Sequence, residues 1–522
     1  MKALYARLEE LDYTPEGLEE ILGPDGLAAM YRGEPAAVRF ALERRASSGN
    51  STDTDTDTIA PPSEAQILLI RTLVLRDALS ATELATLFDA DSLIELESRG
   101  WLVDGRITID IRPHFLGGRT QWVFSDQDAA MSEVTQDSGH VLGVGQASLS
   151  LLRTVPTNPV ISVLDLGTGS GVQILGQAGA ARVYVGTDIA PRAKDFALAS
   201  VGSDPRIANQ FEFLTGSWFE PVADRRFDRI IANPPFVVGT GAVGHVYRDS
   251  GLALDGASQL VVSQAVDHLT LGGRAHILAA WVETKDDFWA SRPASWIPAT
   301  GVRAWVCRRD SVDPALYVGT WLRDEGIDPR SARGQEITTT WLSFLEESGV
   351  DSIGFGFIHL ERLAEGPSEV HTDELMGVLD EGMAAEVNEF FLRAQWLTGR
   401  SAEDIANTAF LVRPGTAYEE VSVPAGSAAP HADPSEQMGF SPVAHRITRM
   451  DGPHYSHEID ENLYAILSGL NPRGLALGEV VTLFAYSHGI EDEEALMQQS
   501  IAAIVDLVRH GIVLPAELVL PR

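Results

Sequence analysis

A glycine-rich segment between residues 165 and 171 has the composition of a loop that binds a ligand. It reads Asp-Leu-Gly-Thr-Gly-Ser-Gly and follows a run of apolar residues. Glycines here permit a tight turn and a close approach of the backbone to a ligand. Val172 stands where the dinucleotide fingerprint Gly-x-Gly-x-x-Gly has its last glycine, so the spacing is a different one. A carboxylate two residues before the first glycine suits a cationic ligand end better than a pyrophosphate. The predicted ligand-binding residues of this loop are Asp165, Gly167, Thr168, Gly169 and Gly171.

Two later segments are predicted to extend the same ligand site. Asp188 ends the next apolar strand, 17 residues after Gly171. An acidic residue at that position can accept hydrogen bonds from both hydroxyls of a ribose. Ser217 and Trp218 follow the third strand, and the Trp218 ring can stack on a planar base.

The most informative motif is Asn233-Pro234-Pro235-Phe236, which ends the fourth predicted strand. Asn-Pro-Pro-aromatic at this place resembles the motif of methyltransferases that modify a nitrogen attached to a planar carbon. Such an amide or exocyclic amine nitrogen is a poor nucleophile because its lone pair is delocalised. The Asn233 side-chain oxygen and the Pro234 carbonyl can accept its two N–H bonds, which orients the nitrogen and favours localisation of the lone pair. The prolines stiffen the loop, and Phe236 can stack on the flat substrate. Catalysis would then rest on positioning and electrostatics, without a metal.

These motifs, in this order, resemble those of class I S-adenosylmethionine-dependent methyltransferases. The Asp165–Gly171 loop resembles their first motif, and Asn-Pro-Pro-aromatic marks members that methylate a nitrogen on a planar carbon. Residues from about 140 to 290 look like the release-factor glutamine methyltransferases, which modify a glutamine in a Gly-Gly-Gln loop. The resemblance implies S-adenosylmethionine as cofactor, bound by Gly167, Gly169, Asp188, Trp218 and Asn233. It also implies that Asn233, Pro234, Pro235 and Phe236 hold the substrate glutamine.

Two departures from that family leave a second substrate class open, and a third concerns only the cofactor. Ser217 stands where an aspartate is often found, which puts a hydrogen bond from that side chain to the adenine in doubt. Phe236 replaces the usual tyrosine, and Asn-Pro-Pro-Phe is similar to the motif of small ribosomal-RNA guanine methyltransferases. The flanking regions are also much larger than the family's short helical domain. The alternative substrate is therefore an exocyclic base amine in RNA or DNA. A cofactor-binding scaffold without catalysis is a third class, against which the intact motif argues.

The charge distribution favours a protein substrate over a nucleic acid. The 522 residues carry a net charge of −35, of which residues 1–139 contribute −13, residues 140–290 contribute −3 and residues 291–522 contribute −19. Acidic surfaces repel phosphate, so long-range attraction of nucleic acid is not supported. We therefore favour a release-factor-like protein substrate and a protein partner at the acidic flanks.

The elements around the motifs predict an α/β fold with a Rossmann-like, doubly wound, mostly parallel sheet. Apolar runs alternate with helical patterns, which is typical of a parallel sheet covered on both faces. The predicted strands are 160–166, 183–188, 211–214, 227–232, 273–280, 302–308 and 352–359, with helices at about 314–325 and 337–347. The sheet is expected to end near residue 362. The segment Tyr247–Gly251 is a candidate for the lining of the substrate cleft.

The flanks are predicted to be helical or winged-helix-like domains. Residues 63–112 show three helical patterns followed by a hairpin that turns at Asp104-Gly105. Residues 413–455 are rich in Pro, Gly, Ala and Ser and are interpreted as loop. The full division is 1–45 helical, 46–60 flexible linker, 61–139 winged-helix-like, 140–362 methyltransferase, 363–457 helical segment and loop, and 458–522 winged-helix-like.

The remaining composition excludes several classes of protein. Cys307 is the single cysteine, so an internal disulfide and a cysteine-rich zinc site are excluded. No stretch of 18 uninterrupted apolar residues occurs, and the first ten residues have no apolar signal core. We therefore expect a cytoplasmic protein without membrane contact.

Overall fold

The computed structural model describes residues 1–47, 61–127, 139–241, 250–375, 377, 379–380, 382–424 and 439–519. Most of the predicted Thr-Asp linker lies outside these residues. The chain divides into two compact units, one of Met1–Leu152 with Thr157–Asp373 and one of Arg153–Pro156 with Glu374–Arg522. Within the described residues, no helix combines the length and apolar character needed to cross a bilayer.

The first unit begins with helices and two hairpins. Their bounds are α1 (Lys2–Glu10), α2 (Pro15–Tyr31), α3 (Pro35–Ser47), α4 (Glu64–Leu69), a π-helical turn (Ile70–Val74), α5 (Ala81–Leu87), α6 (Ala90–Ser98), β1 (Leu102–Val103), β2 (Arg106–Ile107), β3 (Ile109–Leu116) and β4 (Arg119–Asp126). Ser80 caps α5 in a capping box with Glu83. Asp104 and Gly105 both have positive φ, of 49° and 76°, and join β1 to β2. The predicted hairpin is therefore confirmed, whereas the winged-helix interpretation stays a prediction.

These N-terminal elements share one apolar core with a helix of the sheet region. The Tyr5 hydroxyl donates a hydrogen bond of 2.7 Å to the carbonyl of Ala199. The Trp122 indole donates to the carbonyl of Tyr13, whose own hydroxyl donates to the carbonyl of Ile111. Buried polar atoms of large side chains are thus satisfied by backbone. The N-terminal region therefore packs as part of the first unit.

An eight-stranded sheet forms the centre of the first unit. Its elements, in chain order, are α7 (Gln146–Leu152), β5 (Ser162–Leu166), α8 (Val172–Gly176), β6 (Val183–Asp188), α9 (Pro191–Gly202), β7 (Phe211–Thr215), β8 (Phe227–Ala232), α10 (Gly256–Ala265), β9 (Leu269–Glu283), α11 (Ser291–Ser295), β10 (Thr300–Val312), α12 (Pro314–Asp324), α13 (Ala332–Glu347), β11 (Ser352–Pro367) and β12 (Glu369–Glu374). The strand order is β12-β10-β11-β9-β8-β5-β6-β7. The four pairings from β9 to β7 are parallel, while β11 is antiparallel to both β9 and β10. The predicted doubly wound, mostly parallel fold is confirmed.

Helices cover both faces of this sheet, as alternation along β9 shows. Ala275 and Ile277 pack in the cluster that contains Val261 of α10. Ala280 and Val282 pack instead with α12 and α13. Because successive strand residues point to opposite faces, β9 is buried on both sides. The sheet does not end near residue 362 as expected, because β11 continues to Pro367 and β12 adds an edge strand up to Glu374.

The second unit combines helices with a small antiparallel sheet. Its elements are α14 (Met383–Leu397), α15 (Ala402–Ala406), β13 (Phe410–Val412), β14 (Thr416–Pro424), β15 (Phe440–Arg449), β16 (Ser456–Ile459), α16 (Glu461–Gly469), α17 (Leu477–His488), α18 (Glu493–Arg509), β17 (Val513–Pro515) and α19 (Ala516–Val519). The interpretation of 413–455 as loop is wrong for the described part, because β14 pairs with β15 from Thr416 to Pro424. Inside the unit, the fully buried Glu386 accepts hydrogen bonds from Arg393 and Arg449. This pairing compensates the three buried charges.

Candidate active site

A cavity of about 360 Å³ lies at the carboxyl ends of β5, β6 and β8. Parallel strands bring the segments that follow them to one edge of the sheet, and ligands of open α/β sheets bind at that edge. The lining comes from the glycine loop, from residues 187–190, 216–218 and 233–235, from Ser250 and from the segment 140–148. Its volume is that of a pocket for one small molecule.

The glycine loop has the left-handed backbone conformation that glycine adopts without strain. Gly167, Gly169 and Gly171 have φ values of 73°, 51° and 84°. The amides of Gly167 and Thr168 both donate to the carbonyl of Thr187, at 2.9 and 2.8 Å, which fixes the loop against β6. A Cβ on Gly171 would lie 3.2 Å from Val201 Cγ2. The positive φ of Gly171 therefore favours glycine there, and a side chain would also crowd Val201.

Asp165 lies beneath this loop and does not line the cavity. Its side chain is buried, and its Oδ2 accepts a hydrogen bond of 2.5 Å from the hydroxyl of Thr168, which does line it. Burial raises the pKa of Asp165 to about 7, and the negative charge of Asp188 adds to that rise. The structure thus shows Asp165 bracing the loop, and its electrostatic effect on a cationic ligand stays a prediction.

Asp188 lines the cavity and is oriented by backbone amides. Its Oδ2 accepts the amide of Gly169 at 2.9 Å, and its Oδ1 accepts the amide of Ala190 at 2.8 Å. Burial raises the pKa of this carboxyl group. Each carboxylate oxygen can accept more than one hydrogen bond. Asp188 can therefore hold the loop and still accept ligand hydroxyls.

The other side of the cavity is apolar and includes Trp218. Trp218 lines it with φ of 48°, a left-handed backbone conformation that is unusual for a large side chain. Such local strain is found mainly where function demands a particular orientation. Ser217 also lines the cavity, as do Leu142 and Ile189, two apolar side chains that are substantially exposed. A flat aromatic ligand would fit against these surfaces.

The Asn-Pro-Pro-Phe motif is divided between the cavity and the core. Asn233, Pro234 and Pro235 line the cavity. Phe236 does not, because it packs half-buried against the cluster around α12 and α13. Two hydrogen bonds fix the chain beyond it: the Val238 amide donates to the Tyr317 hydroxyl, and the Trp341 indole donates to the Val238 carbonyl. The predicted stacking of Phe236 on a substrate has no support in this arrangement and stays a prediction.

The segment 140–148 is the part of the site that the sequence analysis missed. Asp126 holds it by a backbone and a side-chain hydrogen bond to Val141, of 3.0 and 2.9 Å. Ser148 then accepts a hydrogen bond of 3.2 Å from the Asn233 amide group. The signal in the sequence is the turn Gly143-Val144-Gly145, which stands directly before α7. The strand β5 and the glycine loop follow that helix in the chain. Of the predicted Tyr247–Gly251 segment, Ser250 lines the cavity, and residues 242–249 lie outside the described residues.

Comparison with known proteins agrees with this geometry. Residues 142–281 match the family described as the methyltransferase small domain, and residues 10–109 and 388–515 match two families described as domains of unknown function. The release factor glutamine methyltransferase of Aliivibrio fischeri is 32% identical over 138 residues, which are 24% of this chain and 46% of that protein. That of Geobacter sulfurreducens is 36% identical over 125 residues, 22% of this chain and 43% of that protein. This chain therefore spans less than half the length of these relatives.

Among solved structures, the chain is similar to the 16S rRNA N2 G1207 methyltransferase of T. thermophilus, solved with AdoMet and guanosine. The identity is 25%, the match covers 34% of this chain and 43% of that protein, and the TM-score is 0.23.

Proposed function

We propose that this protein is an N-methyltransferase that modifies the side-chain amide of a protein glutamine. Residues 142–281 form a class I S-adenosylmethionine-dependent methyltransferase domain, on which fold, motifs and family match agree. The observation that carries the proposal is the position of Asn233 and Pro234. They line the same cavity as the glycine loop and Asp188.

The cavity fits S-adenosylmethionine in size and in the chemistry of its lining. Asp188 offers a carboxylate to the ribose, and Trp218, Ile189 and Leu142 offer apolar surface to the adenine. The Asp165 carboxylate lies below the loop, near the cavity, and its negative charge favours a cationic ligand. When bound, the cofactor supplies a methyl group on a positively charged sulfur, which leaves as a neutral thioether.

Asn233 and Pro234 act on the nucleophile. The Asn233 Oδ1 and the Pro234 carbonyl would accept the two N–H bonds of the substrate amide and orient its nitrogen toward the cofactor. The nitrogen would take the methyl group that the cofactor supplies and release one N–H proton to solvent. Preorganised acceptors that are aimed at a developing positive charge lower the barrier without a strong base.

The electrostatics of the site support a protein substrate. Within the described residues, the cavity lining contains no lysine or arginine that could hold a phosphate backbone. The curated relatives with the longest matches here are release factor glutamine methyltransferases. Methylation of an exocyclic amine in RNA or DNA is the alternative, and the Phe236 of the motif is what favours it.

The purified protein is expected to transfer label from S-adenosylmethionine to a recombinant release factor that contains a Gly-Gly-Gln loop. Mass spectrometry should place one methyl group on that glutamine, and a release factor with the glutamine replaced by alanine should remain unlabelled. A parallel reaction uses deproteinised total RNA or DNA. Label in nucleic acid but not in the release factor would reject the glutamine proposal and favour the exocyclic amine.

Cofactor affinity is expected to fall as the pH drops below 7. The raised pKa of Asp165, about 7, means that this group becomes neutral in a range where a carboxylate is normally ionised. Its negative charge favours the cationic cofactor, so the affinity should be highest well above pH 7 and fall as the carboxylate is protonated, by at most roughly tenfold per pH unit. Calorimetric titration with S-adenosylmethionine between pH 8.5 and pH 5.5 measures this change, to be compared with Asp165→Asn.

The stability of the cofactor-free protein should change with pH in the opposite direction to the cofactor affinity. The folded state binds the Asp165 proton more tightly than the unfolded state, so burial of the ionised carboxylate costs stability above pH 7 and not below pH 4. Asp165→Asn should therefore raise the Tm of the cofactor-free protein at pH 8, and the gain should disappear on acidification.

A pH-independent cofactor affinity in the wild type would contradict the role given to Asp165.

A further inference from the structure

Ser148 makes a polar side-chain contact with Asn233 in the lining of the cavity. It lies in α7, and its hydroxyl oxygen accepts a hydrogen bond of 3.2 Å from Asn233 Nδ2. Both residues line the cavity. The contact therefore joins a helix that precedes the glycine loop in the chain to the motif that follows β8.

A second hydrogen bond fixes the backbone of Ser148. Gln173, in α8 directly after the glycine loop, donates from Nε2 to the Ser148 carbonyl at 3.0 Å. Gln173 is buried and also lines the cavity. This hydrogen bond fixes the backbone of the residue that carries the hydroxyl, and its donor lies in the helix that follows the glycine loop.

The direction of this contact matters for the reaction. An asparagine amide has one acceptor end and one donor end, and the substrate nitrogen brings N–H donors. With Nδ2 directed to Ser148, Oδ1 is left to accept from the substrate. A rotated amide would place N–H groups against N–H groups and leave the substrate nitrogen without an acceptor.

We propose that Ser148 is a positioning residue, which holds the Asn233 amide in the orientation that accepts the substrate N–H. This inference rests on the proposed function, in which Asn233 is the group that touches the substrate. Ser148 acts through Asn233 and has no part in the binding of the ribose by Asp188.

Ser148→Ala is expected to lower kcat for release-factor methylation about tenfold, equivalent to about 1.4 kcal/mol. The Kd for S-adenosylmethionine in calorimetry should stay within about twofold of wild type, because a single neutral hydrogen bond away from the cofactor contacts is removed. Ser148→Thr keeps a hydroxyl and should restore most of kcat. Ser150→Ala is the matched control, since Ser150 lies in the same helix and donates to the Ala147 carbonyl instead.

A second measurement follows the amide directly and needs no substrate. The chain has eight asparagines, so selective ¹⁵N labelling gives a simple spectrum of side-chain amides, in which Asn233→Asp identifies the Asn233 pair. The chemical shifts of that pair should change in Ser148→Ala and stay unchanged in Ser150→Ala.

The outcomes separate the two proposals. A wild type that methylates neither the release factor nor nucleic acid would overturn the proposed function, while the Asn233 signal would still decide whether Ser148 holds the amide. An active wild type with kcat unchanged in Ser148→Ala would overturn the positioning role alone. An equal loss in Ser150→Ala, or a loss of cofactor affinity that matches the loss of kcat, would also overturn it, because the effect would then be one of general structure.

Discussion

Asn233→Ala is expected to lower kcat for methyl transfer by about 1000-fold, the size of effect seen when one preorganised group is removed from the reacting centre. The substitution removes the Oδ1 acceptor and leaves the substrate nitrogen with the Pro234 carbonyl alone. It leaves the glycine loop and Asp188 untouched, and their hydrogen bonds do not involve Asn233. The Kd for S-adenosylmethionine should therefore change by less than about fivefold, since one contact at the edge of the cofactor site is lost.

Single-turnover transfer of labelled methyl to the release factor measures the first quantity, and calorimetry measures the second. Asn209→Ala serves as the control, because Asn209 is exposed and does not line the cavity. Activity of Asn233→Ala within about threefold of wild type would refute the mechanism, which assigns the side-chain acceptor for the substrate N–H to Asn233. A parallel collapse of cofactor affinity would assign Asn233 to binding instead.

The parts of the site that the sequence predicts correctly are those set by strand ends. The apolar runs of β5, β6 and β8 are buried and parallel, so the residues directly after them must meet at one edge. Asp188 and Asn233 are therefore brought together from positions 45 apart in the chain. The apolar runs and the parallel topology are enough for this inference, because it does not depend on how individual side chains pack.

What the sequence does not predict depends on burial and on pairing between distant segments. Asp165 and Asp188 are both acidic residues near a strand end. The Asp165 side chain is buried and accepts a hydrogen bond from Thr168, whereas Asp188 lines the cavity. Phe236 follows two cavity residues but packs toward α12 and α13, which begin 78 and 96 residues later in the chain. The pairing of β14 with β15 was not predicted because the Pro, Gly and Ser residues of 413–455 indicate a loop. Most of these residues lie outside the two strands. Ser148 has no chemical pattern of its own and is identified only by its contact with Asn233.

Asp188→Ala is expected to weaken binding of S-adenosylmethionine by about 100-fold or more. Two charge-assisted hydrogen bonds to the ribose would be lost, each worth about 1.5–3 kcal/mol, and 1.4 kcal/mol corresponds to a factor of ten. The amides of Gly169 and Ala190 would also lose their acceptor, so the loop would be less well ordered for the ligand. The fold should survive, because burial raises the pKa of Asp188 and its ionised form is therefore not a source of stability.

Calorimetric titration with S-adenosylmethionine and with S-adenosylhomocysteine tests this expectation, and the Tm of the free variant tests its folding. Both ligands carry the same ribose, so both affinities should fall by the same factor. Asp195→Ala, which removes an exposed carboxylate from α9, is the matched control. An unchanged affinity in a folded Asp188→Ala variant would show that the ribose is held elsewhere.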